Sequence, residues 1–143
     1  MADPTAIYHW HRLDDRVTTS GQPTEEQLVE IAALGVRRVI NLGLHSLEKA
    51  LPNEAASVTA LGMVYTHIPV EFQNPTEADF ATFSDALVAE QGKLHIHCIA
   101  NYRVSAFVYR YRRSVLGVDA AQARIDLDQV WQPDAVWAAF IGL

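Results

Sequence analysis

The chain has 143 residues, half of them hydrophobic and a fifth charged, which suits one compact domain (1–143) with a core of its own. A net charge of −6 excludes broad nucleic-acid binding, which needs a basic surface, so a site for an anion has to be built locally from a few aimed donors. The single cysteine excludes an internal disulfide framework and fits a reducing compartment.

Met1-Ala2-Asp3-Pro4-Thr5 lacks the basic and apolar stretches of a signal peptide, and no apolar run is long enough to span a membrane, so a cytoplasmic protein is expected. Arg16 to Ser20 reads as a short strand. Thr24-Glu25-Glu26-Gln27, with Pro23 ahead of it, has the pattern of a capping box, and Leu28, Ile31 and Ala32 follow at helical spacing up to Gly35. Val36 to Leu42 reads as a buried strand, Gly43 to Pro52 as a loop, and Asn53 to Leu61 as a helix closed by Gly62. Met63 to Val70 reads as another strand. A third helix opens at Pro75-Thr76-Glu77-Ala78-Asp79 with Phe80, Phe83 and Leu87 on its stripe, and Gly92 marks its end. Leu94 to Cys98 is a short strand and Tyr102 to Leu116 a helix, followed by a last helical segment from Asp119 that Pro133 interrupts. Strands alternating with helices predict an α/β fold of three layers, with a mostly parallel sheet of about four to five strands flanked by helices. In such sheets ligands bind beyond the carboxyl ends of the strands, where Cys98 falls.

A strand that ends in cysteine, turns through a short loop and enters a helix aims its backbone N–H groups and the helix N-terminus at one spot, making a concavity for an anion. The same potential favours thiolate over thiol at Cys98. Ile99, Ala100, Asn101 and Tyr102 supply the loop, and Arg103 adds a planar fork of donors that matches two phosphate oxygens. Ser105 is placed to hydrogen-bond the sulfur, and His97 to orient the loop through its imidazole N–H. The competing reading of Cys98, an inert core thiol at a strand end, explains neither the histidine before it nor the arginine within one helical turn.

These residues resemble the protein tyrosine and dual-specificity phosphatase superfamily, whose signature is His-Cys, five residues, Arg, then Ser or Thr. Here four residues separate Cys98 from Arg103. Without a gap, His97, Cys98, Ala100 and Ser105 fall on signature positions and Val104 replaces the arginine. With one residue deleted, Arg103 takes that role and Ser105 falls one place late. The short loop resembles the small bacterial branch described as beta-lactamase-hydrolase-like or nonstandard dual-specificity phosphatases. Ser20-Gly21-Gln22-Pro23, Gly35 through Leu42, and Gly62 through Val70 resemble that branch's upstream elements, so the likeness covers roughly 16–116. It implies a phosphatase that forms a phosphocysteine on Cys98, with Arg103 and the loop amides holding the phosphate, no cofactor, and a phosphorylated small molecule or phosphoprotein as substrate.

The resemblance also implies a carboxylic acid upstream of the cysteine to protonate the leaving oxygen. Glu71 is the nearest carboxylate after the third strand, Asp79 reads as a helix cap, and Asp85 as a surface residue. His9-Trp10-His11 and His95-Ile96-His97 each place two histidines on one strand face, but without a third ligand no metal site is expected. Gln22 and Asn41 are read as loop holders, Arg110, Arg112 and Arg113 as a solvated face, and Trp131 and Trp137 as packing residues. Two other functions stay open: a rhodanese-like sulfurtransferase carrying a Cys98 persulfide, and a weakly catalytic oxyanion-binding module.

Overall fold

The computed structural model describes residues 2–143. Its elements are β1 (His11–Arg12), β2 (Val17–Ser20), α1 (Glu25–Ala33), β3 (Val36–Asn41), α2 (Glu54–Ala60), β4 (Val64–His67), α3 (Glu77–Ala89), β5 (Lys93–His97), α4 (Tyr102–Ser114), α5 (Ala120–Asp128) and α6 (Ala135–Ile141). Two capping boxes start helices where the local pattern placed them. Thr24 accepts from the Gln27 amide at 3.1 Å while Gln27 reaches back at 2.9 Å. Thr76 and Asp79 do the same at 3.1 and 3.2 Å, so Asp79 is committed to opening α3.

The sheet order is β1-β2-β5-β3-β4, parallel throughout except for β1. β1 was not foreseen: two residues are too few to show a strand pattern, and pairing with β2 alone defines it. It starts only at His11, because His9 has a left-handed backbone (φ 51°), so the first histidine pair does not share a strand face. The strand read over Met63 to Val70 is regular only to His67, yet the Ile68 and Val70 amides still donate to Asn41 and Leu42.

Side chains alternate across the sheet. On β5, Leu94 and Ile96 face α3, α4, α5 and α6, in a core that also holds Phe83, Phe107 and Trp137 and takes in Cys98. The other face packs Val36 and Val39 of β3 on Leu28, Ile31 and Val58 of α1 and α2. His95 and His97 point to that second face, and both are fully buried. Among the described residues no helix is long and apolar enough to cross a membrane.

Candidate active site

The central strand β5 ends between two parallel neighbours, with His97 in register with Ser20 on one side and Asn41 on the other. Cys98, fully buried, follows at the carboxyl end of the sheet. Three segments hold the backbone beyond it. The Gln22 amide donates to the Ile99 carbonyl at 3.0 Å. The His9 ring donates through Nδ1 to the Ala100 carbonyl at 2.7 Å. The Asn101 side chain donates to the His9 carbonyl and to Thr19 Oγ1, both at 3.0 Å. Asn101 is itself left-handed (φ 68°), a conformation asparagine tolerates better than most side chains.

These anchors have a consequence for the amides. In a trans peptide the N–H points opposite to the C=O. With the Ile99 and Ala100 carbonyls tied to Gln22 and His9, the N–H groups of Ala100 and Asn101 point away from those anchors and meet no acceptor among the described residues. Free successive amides at the start of a helix are the donors from which an anion nest is built.

Gly21 permits the clamp. A Cβ there would lie 2.5 Å from the Ile99 carbonyl oxygen and 2.8 Å from the Tyr8 ring. Gly21→Ala is therefore expected to cost about 1–3 kcal/mol through overpacking against backbone. Urea unfolding measures this, and an unchanged midpoint would show that the segment yields freely. On the other flank the Gly43 amide donates to Asn41 Oδ1 at 2.7 Å, so Asn41, like Gln22, holds a loop.

Behind the loop lies a buried polar chain that sequence reasoning missed. His97 Nδ1 is 3.1 Å from the Cys98 carbonyl and Nε2 is 2.5 Å from Glu54 Oε2, while Gln22 donates to Glu54 Oε1 at 2.9 Å. Glu54 is 1% exposed. Burial alone would raise its carboxyl pKa, but the His97 charge and the hydrogen bonds from His97 and Gln22 outweigh that and hold it below the ordinary carboxylate range. A glutamate just after an asparagine cap reads in sequence as an ordinary first-turn acid, so only the packing of α2 under β5 reveals it. His95 is kept neutral instead: complete burial, then the neighbouring His97, push its pKa well below the usual histidine value. Its two nitrogens meet the Thr18 and Ser20 hydroxyls at 2.8 Å.

Arg103 stands in the first turn of α4, directly after the loop, and its side chain reaches the segment that follows β4. Its Nε donates to the Val70 carbonyl at 2.9 Å and its guanidinium lies 5.1 Å from the centre of the Phe72 ring. It is 7% exposed, and among the described residues no carboxylate pairs with it. Glu71 sits between two anchored carbonyls, that of Val70 on Arg103 and that of Phe72 on Trp137 Nε1 at 2.7 Å. Its own side chain is exposed and makes no hydrogen bond within the described residues.

Two further placements differ from expectation. Ser105 does not turn to the sulfur; its hydroxyl donates to the Tyr102 carbonyl at 3.1 Å. With one residue fewer in the loop, position 105 is rotated by about 100° around α4, and Val104 occupies the inward place. The arginines of α4 are engaged rather than free: Arg110 pairs with Glu77, Arg112 with Asp126, and Arg113 donates to the Val118 carbonyl. The Tyr102 ring stacks on Trp131 with centroids 4.5 Å apart, so this residue offers the loop its backbone rather than its hydroxyl. Trp137 is fully buried in the core.

No family model matches the chain. A beta-lactamase hydrolase-like protein of Xylella fastidiosa is 31% identical over 94 residues, 64% of this chain and 22% of the relative, so the chain spans about a fifth of the length of the curated relatives it matches. A solved DUF442 protein from Shewanella putrefaciens CN-32, provisionally named a phosphatase, is 34% identical with a TM-score of 0.84, covering 96% of this chain and 91% of that one. Pseudomonas aeruginosa TpbA, solved in complex with phosphotyrosine, superposes with a TM-score of 0.70 over 90% of this chain and 75% of its own, at 18% identity, which speaks to the fold alone. A shared fold over nearly the full length of both chains, together with a third of the residues in common, places this chain in the DUF442 family, with the protein-tyrosine-phosphatase-like fold.

Proposed function

We propose that the protein hydrolyses phosphate monoesters through a phosphocysteine on Cys98. The observation that carries this is Arg103, a buried guanidinium with no carboxylate partner among the described residues, directly after a loop whose Ala100 and Asn101 amides meet no acceptor there. A buried charge is costly unless paired, so the site is built to receive a negative group. The planar fork of Arg103 and the loop amides match the oxygens of a phosphoryl group, whose transfer depends on positioning and charge stabilisation.

In the first step the Cys98 thiolate attacks phosphorus, the bond to the ester oxygen breaks, and Glu71 gives its proton to that oxygen. In the second, Glu71 takes a proton from water as the water attacks the phosphocysteine, and phosphate leaves with the thiolate restored. TpbA holds phosphotyrosine, which makes a phosphotyrosine-like ester or a small phosphorylated molecule the substrate class assigned here.

Purified protein is expected to release phosphate from an aryl phosphate, with competition by vanadate. Thiocyanate formation from thiosulfate and cyanide, without phosphate release, would replace this reading with sulfur transfer. Anion binding with neither activity would make the protein a binding module. Glu71→Gln is expected to slow an alkyl phosphate by about 10²–10⁴-fold while slowing p-nitrophenyl phosphate far less, because a nitrophenolate leaves without protonation. Equal losses on the two substrates would remove Glu71 as the acid.

A further inference from the structure

The chain Gln22–Glu54–His97 ends on the backbone of the cysteine itself, and its atoms constrain where the protons are. His97 meets an acceptor at each ring nitrogen, the Cys98 carbonyl at Nδ1 and the Glu54 carboxyl at Nε2. Glu54 is also served from its other oxygen by Gln22 Nε2. That amide is oriented unambiguously, since the same nitrogen donates to the Pro23 carbonyl at 3.0 Å. A neutral imidazole has one N–H and would satisfy only one of its two contacts unless Glu54 carried the proton. Both a protonated Glu54 facing a neutral ring and an ionised Glu54 facing a doubly protonated ring satisfy these contacts, and the hydrogen bond that Gln22 donates to the second carboxyl oxygen favours the ionised form.

We propose that Glu54 is a positioning residue for the cysteine loop: its buried carboxylate keeps a proton on both ring nitrogens of His97, which locks the ring onto the Cys98 carbonyl and sets a positive charge against the backbone of the nucleophile. The inference rests on Cys98 being the nucleophile only for its use, not for its geometry. Both members are essentially without solvent contact, so each depends on the other for its charge. Besides Cys98 itself, the titratable groups around the pair are His95 on β5, Tyr65 and His67 on β4, and His45 in the loop after β3. His95 and the stacked pair His45–His67, with ring centroids 3.8 Å apart, supply no negative charge, so Glu54 is the counter-ion of His97.

The chemical role follows from charge. A cation close to a cysteine favours its thiolate, and a glutamine in place of Glu54 keeps the shape and hydrogen-bonding capacity of the site while removing the charge that retains the second proton. The loop geometry then persists and the thiolate loses its support.

Two measurements test this, neither of which needs turnover. Nitrogen-15 spectra of the full chain are expected to show both His97 ring nitrogens protonated at neutral pH; an unprotonated ring nitrogen there overturns the proposal. Cys98 is the only cysteine, so thiolate absorbance can be titrated against Cys98→Ser as blank. In Glu54→Gln the midpoint is expected to move upward, with the thiolate-to-thiol ratio below it reduced about tenfold. A folded Glu54→Gln protein with an unmoved thiolate titration overturns the proposal, and if that variant does not fold the spectra of the parent protein decide it. Should the protein release no phosphate from any ester while both readouts behave as expected, the proposed function fails and the role of Glu54 stands.

Discussion

Cys98→Ser is expected to abolish phosphate release from an aryl phosphate, with a loss of about 10⁴-fold or more, while vanadate and phosphate still bind. A serine hydroxyl is not ionised near neutrality, and nothing in the loop is placed to take its proton: both His97 nitrogens are engaged, and the Ser105 hydroxyl is turned to the Tyr102 carbonyl. Affinity for the anion should survive because it comes from other atoms, the loop amides and Arg103. Serine is also close in size to the fully buried thiol it replaces, so the surrounding core of Val104, Ile96 and Leu42 has no cavity to collapse into. Phosphate release and calorimetric vanadate binding on the same preparation read both halves. Turnover equal to that of the parent chain would sink Cys98 as nucleophile, and the sequence holds no second cysteine to take its place.

Arg103→Met separates stability from function in the opposite direction. The arginine head lies over the Phe72 ring and makes a single hydrogen bond to the Val70 carbonyl. Methionine keeps an apolar stem of similar length and removes a buried charge that no carboxylate among the described residues balances. In anion-free buffer the variant is expected to melt no lower than the parent protein. Its affinity for phosphate or vanadate is expected to fall by about 30- to 1,000-fold, equivalent to about 2–4 kcal/mol, and turnover by about 10³-fold or more. The stabilisation that added phosphate gives the parent chain should vanish with it, since that gain is binding to the folded state alone. A variant that melts far below the parent would mean that Arg103 is held for structure.

The contrast between these residues and Glu54 explains what could be read from the chain before folding. The capping boxes at Thr24 and Thr76 were legible because every atom they need lies within three residues. The cysteine loop was legible for a related reason: strand end, thiol, turn and arginine are contiguous. The α/β architecture followed from the alternation of apolar strands with amphipathic helices. Glu54 was not legible because its meaning comes from His97, 43 residues later, and from a helix packing over the sheet face where His97 points. Ser105 was misplaced by family spacing, since a signature that counts residues does not see that a shortened loop rotates the following helix. His9 was read only as half of a histidine pair on a strand, yet it holds the loop through a contact 91 residues away, one that no local pattern shows.

The clamps from residues 8–9, 21–22 and 41–43 bear on how far the loop can be moved between proteins. The two left-handed residues that shape it, His9 and Asn101, lie 92 residues apart in the sequence and bond to each other's neighbourhood. The curvature of 98–101 is therefore stored outside 98–101. Grafted onto another strand–helix junction, the segment from His97 to Arg103 would carry its chemistry but not its shape, and its carbonyls would be free to rotate inward and close the anion nest. The loop is not a portable cassette; what would have to be transplanted is the carboxyl end of the sheet around it.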